Sequence, residues 1–573
     1  MTHRYGPEVD DDGVRFRLWA PDASAVDLLI GDRALPMTDV GGGHFELAAA
    51  GAAPGLAYRF SVDGRPVPDP ASRRQEKDVE GASLVTVPPA AGVPKPARPW
   101  HEAVIVEVHV GAATPEGTFA ALAGKLDHYA ALGVTALELL PIADFPGARN
   151  WGYDGVLPFA PDARYGTPDD LRRLVDSAHE RGLQLYLDVV YNHFGPVGNY
   201  VPSYAGAFFT DEFSTPWGSA IDFEREEVRA FFVENAAYWI EEYGFDGLRF
   251  DAVHAFEGPG RRLFLDDLAR RLRAIDPQPH LILENDHNEA SLLGGGDAFD
   301  AQWNDDFHHV FHVALTGEHE GYYRAYADDT VKRTARVLAE GFAYQGEPTP
   351  TRDGAPRGEP SAHLHPQSFV SFLQNHDQVG NRAFGERLAE LAAPERLDLA
   401  RFALLLSPQI PMLFMGEEFA TRRRFPYFCD FEEEFGRLVR EGRRKEFSGF
   451  STFSGDDIPD PLSASTFGSA KLDWSEAWTP DGQSALAGTK ALIGLRRTYI
   501  LPPLAGGFRG AEAKAEGGVV ECDWRFEGGV LSMALNLSDA EGAAGAGRGD
   551  PVATVGQVGP GRLGPWSGAL WRS

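Results

Sequence analysis

Cysteine is nearly missing. The 573 residues hold two, Cys429 and Cys522, far apart and outside any metal-ligand spacing, so a disulfide framework is not expected and a reducing, cytoplasmic setting is. Positive charge is also short: 53 Lys and Arg stand against 84 Asp and Glu, a formal net charge of −31. That balance repels phosphate backbones and anionic lipid, which argues against nucleic acid and membrane as partners and leaves neutral or cationic ligands. Long apolar runs are lacking as well. No stretch could span a bilayer, and Met1-Thr2-His3-Arg4-Tyr5-Gly6-Pro7 carries no apolar leader segment. No glycine-rich phosphate loop follows the early strands, which argues against a doubly wound open sheet, the alternative fold, and no His-Glu-x-x-His helix or close acidic cluster occurs, so no metal is expected; no cofactor is expected either.

What is present describes a folded, multidomain chain, 43% hydrophobic and 11% aromatic. Over residues 1–95 short alternating runs predominate. Val14, Phe16 and Leu18 alternate with Arg15, Arg17 and Trp19, and Tyr58 to Val62 runs into the turn Asp63-Gly64, the pattern of a small β-sandwich. A proline-rich stretch over residues 88–99 reads as a linker. From residue 96 to 496 the rhythm becomes strand then helix. Apolar strands are expected at residues 103–110, 134–140, 183–190, 245–250, 280–284, 299–303, 369–373 and 411–415. Eight strands alternating with helices predict an α/β fold of the (β/α)8 TIM-barrel class, with the excess length in loops at 192–222, after Trp303 and at 422–473. Residues 497–573 return to strands. Val520, Cys522, Trp524 and Phe526 pack one face, Gly528-Gly529 turns, and Leu531, Met533, Leu535 and Leu537 line the return strand of a C-terminal β domain.

In such a barrel the working side chains stand at the C-terminal ends of the strands. Those ends carry Asp188 with Asn192 and His193, Arg249 with Asp251, Glu284, and His376 with Asp377. Asp251 and Glu284 lie 33 residues apart, about one βα unit when roughly 250 residues make eight, so they are expected side by side. Asp251, two residues after Arg249, is expected to stay ionised, and Glu284, with no evident cation in the sequence, to hold a proton. A nucleophilic and a proton-donating carboxyl about 5 to 5.5 Å apart are what retaining glycoside hydrolysis requires. Asp377 would favour positive charge on the sugar ring. Aromatics in the same loops, Trp151, Tyr153, Tyr200, Tyr204, Phe208, Phe209 and Trp217, suit a carbohydrate ligand. A metal site built on the same acids is the weaker reading, because Arg249 opposes a cation.

Asp188-Val-Val-Tyr-Asn192-His193, Gly247-Leu-Arg249-Phe-Asp251, Glu284 and Asn375-His376-Asp377 resemble, in order, the motif regions of the α-amylase family of glycoside hydrolases. That resemblance implies Asp251 as nucleophile, Glu284 as proton donor and Asp377 as transition-state stabiliser, with Tyr153, His193, Arg249, His254, His376, Gln378 and Asn381 around the sugar. Trp303 to His309, Leu315 to Tyr323 and Gly442 to Phe447 look like the malto-oligosyltrehalose trehalohydrolase branch. It implies maltooligosyltrehalose and related α-glucans as substrates, release of trehalose, a maltooligosyltrehalose synthase as pathway partner, and Asp305, Asp306, Phe307 and His308 at the trehalose end. A glucan branching enzyme is the enzymatic alternative, and a silent glucan-binding protein would require one of the three acids to be missing. Two features depart from the family pattern. Leu283 precedes the acid where many members have a small residue, and residues 194–222 offer only scattered acids, so no structural calcium is expected.

Overall fold

The computed structural model describes residues 5–87, 92–215, 218–294, 298–447, 458–545 and 547–573. Eight parallel strands close into a barrel in chain order: β1 (Ile105–Val108), β2 (Ala136–Leu139), β3 (Gln184–Val189), β4 (Gly247–Phe250), β5 (His280–Leu283), β6 (Ala301–Asn304), β7 (Phe369–Phe372) and β8 (Ile410–Phe414). β1 pairs with both β2 and β8, which closes the ring. Each lies within or overlaps the apolar run that predicted it. A Cβ on Gly247 would stand 2.5 Å from the His280 carbonyl oxygen, so glycine at the start of β4 permits its close approach to β5.

Period-two alternation places the chemistry. Ile105, Ala136, Tyr186, Ile282, Ala301, Phe372 and Met412 belong to one buried cluster that fills the barrel. Two residues further along their strands stand Glu107, Glu138, Asp188, Glu284 and Trp303, so a polar layer lies directly above the apolar one. Helices cover the outside. Residues Pro168–Glu180, for example, start at a Thr167/Asp170 capping box and bury Leu171, Leu174, Val175 and Ala178.

The N-terminal residues form a four-stranded and a five-stranded sheet, with Val14, Phe16 and Leu18 in the core between them. Residues 92–99 of the expected linker run along the barrel. Lys95 Nζ donates to the Phe245 carbonyl at 2.6 Å and Arg98 Nε to that of Gly182 at 2.6 Å; residues 88–91 lie outside the described ones. At the other end the hairpin Val519–Phe526 and Gly529–Asn536 pairs Phe526 with Gly529 in a five-stranded sheet, docked on the barrel through Trp524 Nε1 and the Leu338 carbonyl, 2.8 Å apart. Among the described residues no helix is long and apolar enough to cross a membrane.

Candidate active site

Arg249 is the hub of the polar layer. It is fully buried on β4, its guanidinium carbon 3.9 Å from the centre of the Trp303 ring, and it reaches three acids from three strands. Nη1 donates to both Asp188 oxygens at 2.8 Å and to Asp251 Oδ1 at 2.7 Å, while Nη2 lies 2.9 Å from Glu284 Oε2. The cation expected for Asp251 alone therefore serves Glu284 too, because the β4–β5 register, Arg249 against Ile282 and Phe250 against Leu283, brings Glu284 level with Asp251. The ionisation order inferred from the sequence changes accordingly. Burial, then the charge of Glu284, pushes Asp251 well above the usual carboxylate range. Burial also works against an ionised Glu284, but Arg249, His254 and the Ala252 amide outweigh it and hold Glu284 below its usual range. The two carboxyls are close enough to share a hydrogen bond, so they act as a pair holding one proton between them. Ala252, immediately after Asp251, adopts φ +41°, rare for a residue with a Cβ, and this turns its N–H onto Glu284 Oε2 at 2.8 Å.

Opposite this pair stand His376 and Asp377, which follow β7. Asn375 caps the short helix His376–Gly380 by accepting from the Gln378 N–H. His376 Nδ1 donates to Glu107 Oε1 at 2.5 Å, its backbone N–H donates to Glu107 Oε2 at 2.9 Å, and Nε2 lies 3.4 Å from Asp377 Oδ1. The Tyr153 ring stacks on His376 with centroids 5.1 Å apart, and its hydroxyl donates to Asp188 Oδ2 at 2.6 Å. His193 Nε2 donates to the Tyr153 carbonyl at 2.9 Å. Burial raises Asp377 above its ordinary value against the pull of His376 and raises Asp188 to about 6 against that of Arg249.

The remaining expected site residues divide into two sets. His254, Asp305, Gln378 and Asn381 are partly exposed around the acids. His254 Nδ1 accepts the Asp286 N–H at 3.3 Å, Gln378 Nε2 donates to Asp305 Oδ1 at 2.9 Å, and Asn381 Nδ2 donates to Asp377 Oδ1 at 3.3 Å. Asp306, Phe307 and His308 point inward instead. Asp306 accepts from Asn288 Nδ2 at 3.0 Å, the Ala343 N–H at 2.7 Å and Arg357 Nη1 at 2.8 Å. Phe307 packs on Phe311 at 4.6 Å, and His308 bridges the Leu373 carbonyl and the Tyr323 hydroxyl. Helix Asp305–Thr316 advances about 100° per residue, so only one of each such neighbouring pair can face the cleft.

The sequence reading leaves Glu107 and Glu138 out of the site, and takes Trp303 and Arg443 only as parts of the branch motifs. An acid inside the apolar runs Ile105-Val-Glu107-Val and Ala136-Leu-Glu138-Leu was the available signal for the first two. Burial pushes Glu138 well above the carboxylate range, so it stands protonated near Arg249. Arg443, on helix Glu433–Phe447, donates to Asn381 Oδ1 at 3.2 Å and to the Gly380 carbonyl at 2.9 Å. Several aromatics expected against sugar are occupied elsewhere. Tyr204 and Phe208 are buried, Phe208 close to Trp19 of the N-terminal sheets, and the Tyr200 hydroxyl donates to Glu80. Trp217 lies outside the described residues.

Three acids at the mouth of a barrel, two of them sharing a proton beside one guanidinium, can donate a proton to a leaving oxygen, attack an electrophilic carbon and balance a developing cation. Among the described residues no group of three or more His, Cys, Asp or Glu is arranged to hold a metal ion.

Comparison with known proteins identifies the domains and the family. Residues 100–206 match the α-amylase catalytic domain family, residues 4–89 match carbohydrate-binding module 48 (isoamylase N-terminal domain), and residues 506–570 match a domain family of unknown function. The chain is 42% identical to a malto-oligosyltrehalose trehalohydrolase of Deinococcus radiodurans, over 85% of this chain and 81% of the relative. With one of Saccharolobus solfataricus it shares 40% identity, over 86% and 87%. A branching enzyme of Streptomyces avermitilis matches over only 42% of this chain and 45% of its own length, at 37% identity. Among solved structures, a candidate α-amylase from Salmonella typhimurium superposes with a TM-score of 0.96, at 43% identity and with complete coverage of both chains. A pullulanase from Paenibacillus barengoltzii, at 20% identity and a TM-score of 0.73 over 99% and 95%, shares the fold.

Proposed function

We propose the reaction from a plain premise: the chain belongs to the malto-oligosyltrehalose trehalohydrolase family, within the α-amylase-type glycoside hydrolases. It hydrolyses the α-1,4 bond that joins a maltooligosaccharide to its terminal trehalose, and releases trehalose. The observation that carries the chemistry is Arg249 bridging Asp188, Asp251 and Glu284.

Asp251 attacks the anomeric carbon while Glu284 gives its proton to the bridging oxygen, and trehalose leaves with that proton. The glucan chain is then held as an ester on Asp251. Glu284, now ionised, takes a proton from water as the oxygen of that water attacks the same carbon, which frees the chain and restores the pair. Before attack, the proton held between the carboxyls has to reside on Glu284. Arg249 supports this by stabilising the ionised partner from either side. Asp377, Tyr153 and His376 line the glucose beside the cleaved bond, and Asp305, Gln378 and Asn381 face the trehalose side. A maltooligosyltrehalose synthase supplies the substrate, and the two free, buried cysteines support a cytoplasmic location.

Incubation with maltooligosyltrehalose and, separately, with plain maltooligosaccharide, followed by separation of the sugars, tests the reading. Trehalose from the first and little cleavage of the second is expected. Asp251→Asn and Glu284→Gln should each lower turnover by about 10⁴-fold or more. A change in iodine staining of amylose without trehalose would overturn the assignment in favour of chain transfer.

A further inference from the structure

We propose that Glu107 is a positioning residue for this reaction: it fixes His376 as an imidazolium, and His376 in turn holds Asp377 ionised and oriented in the cleft. The proposal rests on the glycosidase reading above.

Glu107 stands on β1 between Val106 and Val108, and its side chain is 2% exposed. Both of its oxygens are taken up by His376, one by the ring Nδ1 at 2.5 Å and one by the backbone N–H at 2.9 Å. On the far side of the ring Nε2 lies 3.4 Å from Asp377 Oδ1, and the Asp377 side chain is 36% exposed. A carboxylate, an imidazole and a second carboxylate thus run in series from the closed barrel to the cleft.

A neutral ring has one N–H. With that proton on Nδ1 toward Glu107, the lone pair of Nε2 would face an anionic oxygen; with it on Nε2, a buried Glu107 oxygen would lose its donor. With both carboxyls ionised, only the imidazolium satisfies both neighbours.

The groups facing the ring agree. Glu107 from β1, Asp188 from β3 and Asp377 beside it are acids, Arg249 from β4 and His109 beyond β1 oppose, and the Tyr153 ring stacks on one face. The indoles of Trp151 and Trp303, centred 5.2 and 6.1 Å from the ring, exclude water. Burial alone would lower the His376 pKa, yet Asp377 and Glu107 carry it to about 9. Asp377 needs this cation, because burial and the charge of Glu284 both act to protonate it.

The test is Glu107→Gln, which keeps size and removes charge. In ¹⁵N spectra of the intact, sugar-free chain, with His376→Asn identifying the signal, the native ring should stay doubly protonated through neutral pH. In Glu107→Gln its midpoint should fall by about one pH unit or more. Turnover should drop on the order of 10²-fold with KM nearly unchanged, and the alkaline limb of the kcat profile should move to lower pH. Adding Glu107→Gln to His376→Asn should cost nothing further. A native ring that is neutral at pH 7 overturns the proposal, and so does a Glu107→Gln variant that loses rate with an unmoved pH profile. Should that variant fail to fold, the native titration decides alone. The ring is read without substrate, so a normal titration with no trehalose release would refute only the substrate assignment.

Discussion

His376 carries the clearest single-residue consequence for stability. Its pKa rises from 6.5 in the unfolded chain to about 9 in the fold, where Asp377 and Glu107 outweigh burial. Since the folded value is the higher one, the stabilisation is complete below pH 6.5 and is lost as pH climbs through 9. Between pH 7 and 9 the free energy of unfolding should fall by on the order of 2 kcal/mol from this group. Buried acids with raised values, such as Asp188 near 6 and Glu417 near 7, act lower on the scale, and setting the native chain beside Glu107→Gln isolates the histidine's share. Urea midpoints of the native chain at pH 7 and 9, set beside those of Glu107→Gln, check this. A native midpoint that holds across the window would contradict it.

One scale up, helix Asp305–Thr316 separates a cleft-facing acid from a buried one within two residues. Asp306 is 1% exposed and meets Arg357, Asn288 and the Ala343 amide, whereas Asp305 opens toward Gln378 and the cleft. Removing the charge of Asp306 leaves the Arg357 guanidinium short of a buried anion, so Asp306→Asn should cost about 3 kcal/mol of stability. Asp305→Asn should leave the melting temperature in place and raise KM for the trehalose-ended substrate about tenfold, or about 1.4 kcal/mol of binding. Thermal melts and initial rates on both variants separate the two roles; equal destabilisation would defeat the distinction. The same helix shows where a sequence stops being legible. The eight barrel strands were readable because an apolar run bounded by turns is a local property, and the three acids because they end such runs. Which of Asp305 and Asp306 faces the cleft depends on helix rotation against Arg357, 51 residues on from Asp306. The Glu107 to His376 contact spans 269 residues, with nothing but an acid in an apolar strand to announce it. Tyr204 and Phe208 misled for a related reason: loop aromatics serve ligands and domain interfaces alike.

Across the whole molecule, those loop aromatics join the N-terminal sheets to the barrel. Phe208 packs among Phe194, Phe231 and Phe232 of the barrel side at 5.6 to 5.8 Å, with Trp19 of the N-terminal sheets 6.3 Å away. Polar ties surround this apolar centre. Asp22 Oδ2 accepts the Gly206 N–H at 2.6 Å, the Tyr5 hydroxyl donates to the Glu227 carbonyl at 2.7 Å, and Arg73 lies over Phe159 and Tyr238 at 4.5 and 4.2 Å. Nearer the rim, Asp78 accepts the Gly147 N–H at 3.1 Å and Glu80 the Tyr200 hydroxyl at 2.9 Å, so the N-terminal domain braces the loops that follow β2 and β3. An interface with a buried aromatic centre couples the unfolding of the two parts, because separating them exposes Phe208, Phe231 and Tyr204 to water together. The intact chain should therefore unfold its N-terminal sheets and barrel in one calorimetric transition. Phe208→Ala, which removes a buried ring and leaves a cavity, should cost about 3 to 5 kcal/mol and split or broaden that transition. Turnover at a temperature well below the melt should change little, since Phe208 touches none of the acids. Two transitions in the native chain, or a Phe208→Ala variant that melts like the native protein, would show instead that the domains are stable apart and that the rim loops hold their shape without the N-terminal brace.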